Sequence, residues 1–387
     1  MAGLTYNLAD PEVKIVWEDA LDREIRARDP LLDDESGLAG AGSDSLLQFK
    51  TDLTQEAGGT LRTKLVYQLR GRGRAKDEVL KGHEEGYKSA VFNIYIDTIR
   101  HAFNVTSPIV QQWVPEDTLE EGRNFLADWA ATRLSFASHL HAAGIALVTD
   151  DAYRLNNTIN ALNSQYIIRP NGKAAGALTA GDVFDVNLMG EVAAFVKNVR
   201  PKIRPAMTPW GPRYCVFLHP DQVKDLRDSN SQWYAQMLAA MKGGRIDDNP
   251  IFTTALGEDN GFIFFESDFV PPGLNSGETA FKASTRRAWV GGAQALFMAF
   301  GRGYSAPGFT PKRWQWVSET EDYQHQRAIA ANAILGVSRP RYQKPGEAVV
   351  RELGVVGIET FVDHGQFTAA ESFQDWTDAA PGVLIEA

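Results

Sequence analysis

The chain has 387 residues, 39 of them Lys or Arg and 49 Asp or Glu, giving a formal net charge of −10. With 44% hydrophobic and 23% charged residues it reads as a globular chain of two or three structural units, not a disordered or fibrous one. No apolar run reaches the roughly 20 residues of a membrane helix, the start MAGLTYNLADPEV lacks a signal-peptide pattern, and one cysteine cannot form an internal disulfide.

Residues 10–28 read as an amphipathic helix. Asp10 suits the cap and Pro11 the first helical position, and Val13, Val16, Trp17, Ala20, Leu21 and Ile25 recur at three- and four-residue steps. The acidic stretch DPLLDDESGLAGAGSDS follows, so 1–45 reads as an arm with one docking helix. Residues 60–70 then alternate. Leu61, Thr63, Leu65, Tyr67 and Leu69 share one face; Arg62, Lys64, Gln68 and Arg70 share the other, with Val66 the exception. Gly71 and Gly73 end this strand. Residues 89–100, with Phe92, Ile94 and Ile96 on one face, make the return strand of a long hairpin.

Residues 116–143 form the longest expected helix. Pro115 opens it, Gly144 follows it, and Leu119, Phe125, Leu126, Trp129, Phe136, Ala137 and Leu140 make its buried stripe. A helix over 178–199, capped by Thr179, comes next. Strand-like YCVFLHP (214–220), helix-like DQVKDLR and SQWYAQMLAAM, and strand-like GFIFFES (261–267) continue the chain. Residues 286–305 return to β structure, RWQWV is a strand followed by polar and mixed sequence, and 354–364 is a late strand. The order is α+β rather than alternating βαβ.

The charge is unevenly placed. Residues 1–45 carry 11 acids and 4 bases, residues 346–387 carry 8 acids and 1 base, and the stretch between is net +4. Segment 57–76 holds Arg62, Lys64, Arg70, Arg72, Arg74 and Lys76 and no acid. It reads either as a solvated hairpin or as a surface suited to an acidic partner.

Enzyme patterns are missing. There is no phosphate loop, no GxSxG and no dinucleotide loop on a βαβ start. His83-Glu84-Glu85-Gly86-Tyr87 has Tyr87 where a zinc motif needs its second histidine. His139 and His141 stand two apart on a helix and point apart, His219 reads as structural, and Cys215 lies in an apolar strand. The Asp247–Pro250 segment suits an Asx turn better than a cation. No catalytic residue, cofactor or metal is expected. An arm, a basic hairpin and acidic ends point instead to a protein that assembles.

Long ordered segments carry a resemblance. They are VWEDALDREI (16–25), the hairpin LLQFKTDLTQEAGGTLRTKLVYQLRGRGRAKDEVLKGHEEGYKSAVFNIYIDTIRHAF (46–103), LADWAATRL (126–134), FLHPDQVKDLR (217–227), NPIFTTALGEDNGFIFFES (249–267), GGAQALFMAFG (291–301) and LGVVGIET (353–360). Over residues 12–362 the chain resembles the major capsid proteins of N-four-type tailed bacteriophages. The resemblance implies the Hong Kong 97-type capsid fold. Its parts would be an N-terminal arm at 1–45, an E-loop at 46–95, and a P-domain at 96–179 with spine helix 116–143. An A-domain at 180–285, a P-domain return at 286–362 and an extension at 363–387 would follow. It implies hexamers and pentamers tiling an icosahedral shell around double-stranded DNA, held without sequence-specific contacts or a membrane. Scaffolding, portal and possible decoration proteins would be partners.

Trp17, Arg62, Lys64, Arg70, Arg72, Arg74, Lys76, Glu84 and Glu85 are the expected contacts between subunits, with helix 10–28 docking on a neighbour. Two rivals stand beside this reading: an encapsulin-like nanocompartment shell around protein cargo, and a soluble α+β enzyme.

Overall fold

The computed structural model describes residues 11–33, 37–54, 58–66, 72–84, 86, 89–105, 118–200, 202–229, 255–302, 313–321, 326–343, 349–362 and 385–386. Helix α1 (Pro11–Ala27) opens on its proline and turns Leu21 and Ile25 into the core. Short strands β1 (Ala39–Gly40) and β2 (Leu47–Lys50) lead to a hairpin of β3 (Thr60–Val66) and β4 (Ser89–Tyr95). Its register runs from Thr60↔Tyr95 to Val66↔Ser89. The alternation sets its faces: Leu61, Phe92 and Ile94 pack with Leu53, Phe297 and Ala299, while Arg62 and Lys64 face solvent.

The return strand does not run through to residue 100. It breaks at Ile96, and β5 (Asp97–Val105) crosses into another sheet. Two asparagines hold the joint. Leu155 and Asn156 adopt left-handed backbone, with φ of 49° and 66°. The Asn157 side chain accepts from the Tyr95 N–H at 2.9 Å and donates to the Tyr95 carbonyl at 2.8 Å, substituting for a strand partner. Asn156 Nδ2 donates to the carbonyls of Asp97 and Leu335 at 3.1 and 3.0 Å.

Helix α2 (Thr118–Ala143) is the long helix, about 39 Å by its 26 residues. It lies on a six-stranded sheet ordered β1-β2-β13-β15-β14, with β5 also on β15. Here β13 is Leu296–Phe300, β14 is Trp314–Glu321 and β15 is Gln326–Ser338. The mixed sequence expected after RWQWV is thus largely a 13-residue strand. Alanine is a poor strand former, but small side chains at Ala331 and Ala333, both buried, let the helix come close. Gly122 does the same from the helix side: a Cβ there would stand 2.9 Å from Phe103.

The second sheet is ordered β6-β18-β12-β8-β10-β9. Its strands are β6 (Ile167–Ile168), β8 (Gly211–Leu218), β9 (Ala255–Asp259), β10 (Phe262–Glu266), β12 (Phe281–Gly291) and β18 (Val355–Phe361). Strands β7 (Ala206–Thr208), β11 (Pro272–Leu274) and β19 (Ile385–Glu386) add to β8 and β12. A further pair is β16 (Arg341–Gln343) with β17 (Val350–Glu352). Helices α3 (Val186–Asn198) and α4 (Pro220–Ser229) share the core of this sheet through Leu188, Val192, Val196, Val223 and Leu226.

Helix α3 starts later than the sequence suggests. Asp185, not Thr179, is its cap and accepts from Leu188 N–H at 2.7 Å. Thr179 is engaged elsewhere, because buried Asp182 accepts from both its N–H (2.7 Å) and its hydroxyl (2.8 Å), a local turn that competes with the helix. The helix expected at 231–241, the Asp247–Pro250 turn, and residues Arg70 and Glu85 lie outside the described residues.

Candidate assembly surface

The hairpin presents its basic side outward. Arg62 and Lys64 on β3 are exposed, and so is every residue from 72 to 84 beyond it. That segment is not charge alone. Val79 and Leu80 are 70% and 60% exposed, with Val91 and Tyr95 uncovered on the outer face of β4. Within it Glu78 draws in two cations: Arg72 at 2.6 Å and Arg74 at 3.4 Å. These exposed pairs are worth little in stability. Lys76 sits in left-handed backbone, φ 53°, and Glu84 accepts from the Gly82 N–H at 2.8 Å. The sequence singled out the cations but not Glu78 or the apolar pair beside it. The signal was available in DEVLK, where two aliphatics stand among charges with no periodicity to bury them.

Trp17 is seated on its own chain. Its ring stacks on Trp316 with centroids 5.2 Å apart, and the Arg123 guanidinium lies 5.1 Å from it. Arg123 also bonds Glu24 at 2.8 Å, and Arg28 pairs with Asp128, so α1 is tied along α2. Buried Glu18 accepts the Trp316 backbone N–H at 3.2 Å, covering part of the edge of β14. Within the subunit, Trp316 and Arg123 supply the slot in which Trp17 sits. The outer side of α1 keeps Val16 67% exposed.

Beneath these surfaces the frame is cross-braced by buried ions. Arg339 Nε and Nη2 bond Glu352 at 3.0 and 3.3 Å. Its Nη1 donates to the carbonyls of His141 and Ala142, which end α2, and Nη2 reaches the Asn160 carbonyl at 2.9 Å. In the second sheet Glu359 receives Arg169 at 2.8 Å and Arg287 at 3.3 Å.

The candidate chemical groups are structural. Trp289 Nε1 donates to His139 Nδ1 at 2.8 Å, which leaves the ring proton on Nε2 toward Ser267 Oγ at 3.0 Å. Burial lowers the pKa of His139 to about 3 and that of His141 to about 4. His141 bonds the Arg154 carbonyl and points away from His139, as the two-residue spacing requires. His219 Nδ1 lies 2.8 Å from Asp221; burial lowers its pKa, and the hydrogen bond to Asp221 opposes the shift. Burial pushes the Cys215 thiol up to about 12. Among the described residues no three His, Cys, Asp or Glu side chains gather as a metal site.

Known proteins place this geometry. The family model described as phage capsid protein matches residues 11–364. The major capsid protein of Pseudomonas phage KPP25 is 23% identical over 353 residues, 82% of this chain and 88% of that one. The capsid of Ralstonia phage GP4 has a similar structure, with a TM-score of 0.67 at 22% identity over 86% of this chain and 91% of that one. The cyanophage Pam1 capsid follows with a TM-score of 0.63 at 16% identity, over 88% and 94%. The architecture is therefore the α+β Hong Kong 97-type capsid fold, with an arm on the long helix and a hairpin whose residues 72–84 are exposed. The chain belongs to the phage capsid protein family, whose members build the shell of the virion.

Proposed function

We propose that this chain tiles an icosahedral shell as hexamers and pentamers around double-stranded DNA, and that its hairpin is the principal grip between copies. The single observation that carries this is the uncovered state of residues 72–84, where Val79 and Leu80 stand exposed among cations. Exposed aliphatics at the end of a long hairpin favour a partner surface. Arg62, Lys64, Arg70, Arg72, Arg74, Lys76, Glu84 and Glu85 supply the polar rim of that contact. Trp17 serves it by holding α1 in place, so that Val16 and its neighbours meet the adjacent copy. Many such weak contacts, repeated in a closed lattice, make a stable shell.

The units of that role are the arm 1–45, the hairpin 46–95, the long-helix domain 96–179 with 286–362, the second domain 180–285 and the tail 363–387. The role is mechanical rather than enzymatic. Shells assemble in the host cytoplasm with scaffolding, portal and possible decoration proteins, and the enclosed DNA is held without sequence-specific contacts. Reversing Arg70, Arg72 and Arg74 to Glu tests the grip. The altered chain is expected to fold, by circular dichroism, and to fail to form shells by electron microscopy. Normal shells from that variant sink the reading of the hairpin.

A further inference from the structure

The first residues of β12 carry a strand partner that the rest of the fold does not dictate. Along most of its length β12 is flanked by β18, in register from Thr285↔Phe361 to Gly291↔Val355. The last bond from this flank is Val362 N–H to the Ser284 carbonyl at 2.9 Å. Beyond it β19 takes over, parallel to β12, with Phe281↔Ile385 and Lys282↔Glu386. Parallel pairing means that the chain leaves at Val362 and comes back running toward its own exit. The two attachment points are three residues of β12 apart, roughly 10 Å. The 22 residues 363–384 that join them span at most about 75 Å when extended.

So long a tether does not require the acceptor to be on the same copy. Loop closure over this length costs little more than over a short one, and a copy whose acceptor lies within the tether's reach competes at a high effective concentration. The strand contacts are identical in either case, so exchange between copies sacrifices no bond and links two subunits. The composition suits the move. Residues 363–387 contain five acids, no Lys or Arg, and a terminal VLIE run after Pro381-Gly382. The register sets Lys282 across from Glu386 in the strand pair. The middle of the chain, including the hairpin, is net basic and favours an acidic tail crossing from a neighbour.

We infer that the edge of β12 at Phe281–Lys282 is a strand-acceptor site, filled in the assembled shell by residues 385–386 of an adjacent copy. The inference rests on the shell-forming reading above. The test co-expresses two full-length chains of different tag length, one carrying Lys282→Cys and the other Glu386→Cys. The resident Cys215 is fully buried and does not compete. Strand neighbours lie roughly 4.8 Å apart, within disulfide reach. Mild oxidation of particles first seen as shells by electron microscopy is expected to give a covalent pair of the two tagged chains, near twice the subunit mass on a denaturing gel. A chain carrying both cysteines is expected to give a ladder of covalent oligomers from shells and only internally closed monomer before assembly. Shells that yield closed monomer from the double variant and no mixed pair overturn exchange and leave shell formation standing. No cross-link in either arrangement overturns the acceptor site. Absence of shells from the unaltered chain counts against the shell reading itself.

Discussion

Arg339 and Glu352 form a buried ion pair, Nε to Oε2 at 3.0 Å, at the point where α2 ends. The same guanidinium satisfies the carbonyls of His141 and Ala142, which have no partner inside the helix. One side chain thus ties the long helix to the ends of β15 and β17. Arg339→Met is expected to cost about 3–5 kcal/mol, because it strands a buried carboxylate and two carbonyls. The double change with Glu352→Leu is expected to regain a large part of that loss. Thermal melts of unassembled subunits check both, and equal stability of the single and double variants would contradict the pairing account.

The buried histidines predict an acid-side loss of stability. Unfolded histidine binds a proton near pH 6.5, whereas burial holds His139 and His141 neutral down to about 3 and 4. Between those values the unfolded chain binds more protons. Unfolding free energy therefore falls as pH drops below about 6.5, on the order of 1 kcal/mol per pH unit for each ring. Above pH 7.5 neither ring contributes a slope. Urea midpoints of unassembled subunits between pH 7.5 and 4.5 measure this, and replacing either ring should flatten the profile.

The joint between hairpin and body is expected to depend on Asn157. Asn157→Ala removes both bonds to Tyr95 and should cost about 1–3 kcal/mol locally. Amide exchange should rise in 89–95 and 58–66 with little change in α3. Gly336→Ala attacks the same joint by sterics, since a Cβ there would overlap the Tyr95 carbonyl.

Cys215 is fully buried and its thiol is pushed up to about 12. Iodoacetamide is expected to leave the folded subunit unmodified at pH 8 and to label one site after unfolding in urea. Mass spectrometry of the intact chain reads the difference directly.

Much of the frame was legible because local pattern and tertiary packing agree. The alternation of Leu61 with Arg62 and Lys64, the helix over Pro11–Ala27 and the end of α2 before Gly144 appear where the residues place them, although Val16 and Phe125, expected on the buried stripes, are exposed. What escaped had tertiary causes. Strand β15 reads as mixed sequence because its small residues answer to packing under the long helix, where Gly122 approaches Ile329 from just over 200 residues away along the chain. The break at Ile96 depends on Asn157, and a pair of asparagines after Leu155 is visible in the sequence only as polar residues. Charge counting found the hairpin cations, but not that Glu78 engages two of them. The stacking of Trp17 on Trp316 escaped too, since nothing local announces a partner about 300 residues away along the chain.

The Glu18 carboxylate on the Trp316 backbone has a further consequence for the subunit before it joins anything. Among the described residues strand β14 ends its sheet, and an uncovered sheet edge is a template on which like chains can stack. The Glu18 carboxylate occupies one donor of that edge, at Trp316, so the arm is expected to disfavour such stacking. Deleting residues 1–28 should therefore do more than weaken shells: it should divert material into thioflavin-positive aggregates, and Glu18→Ala should do so in part.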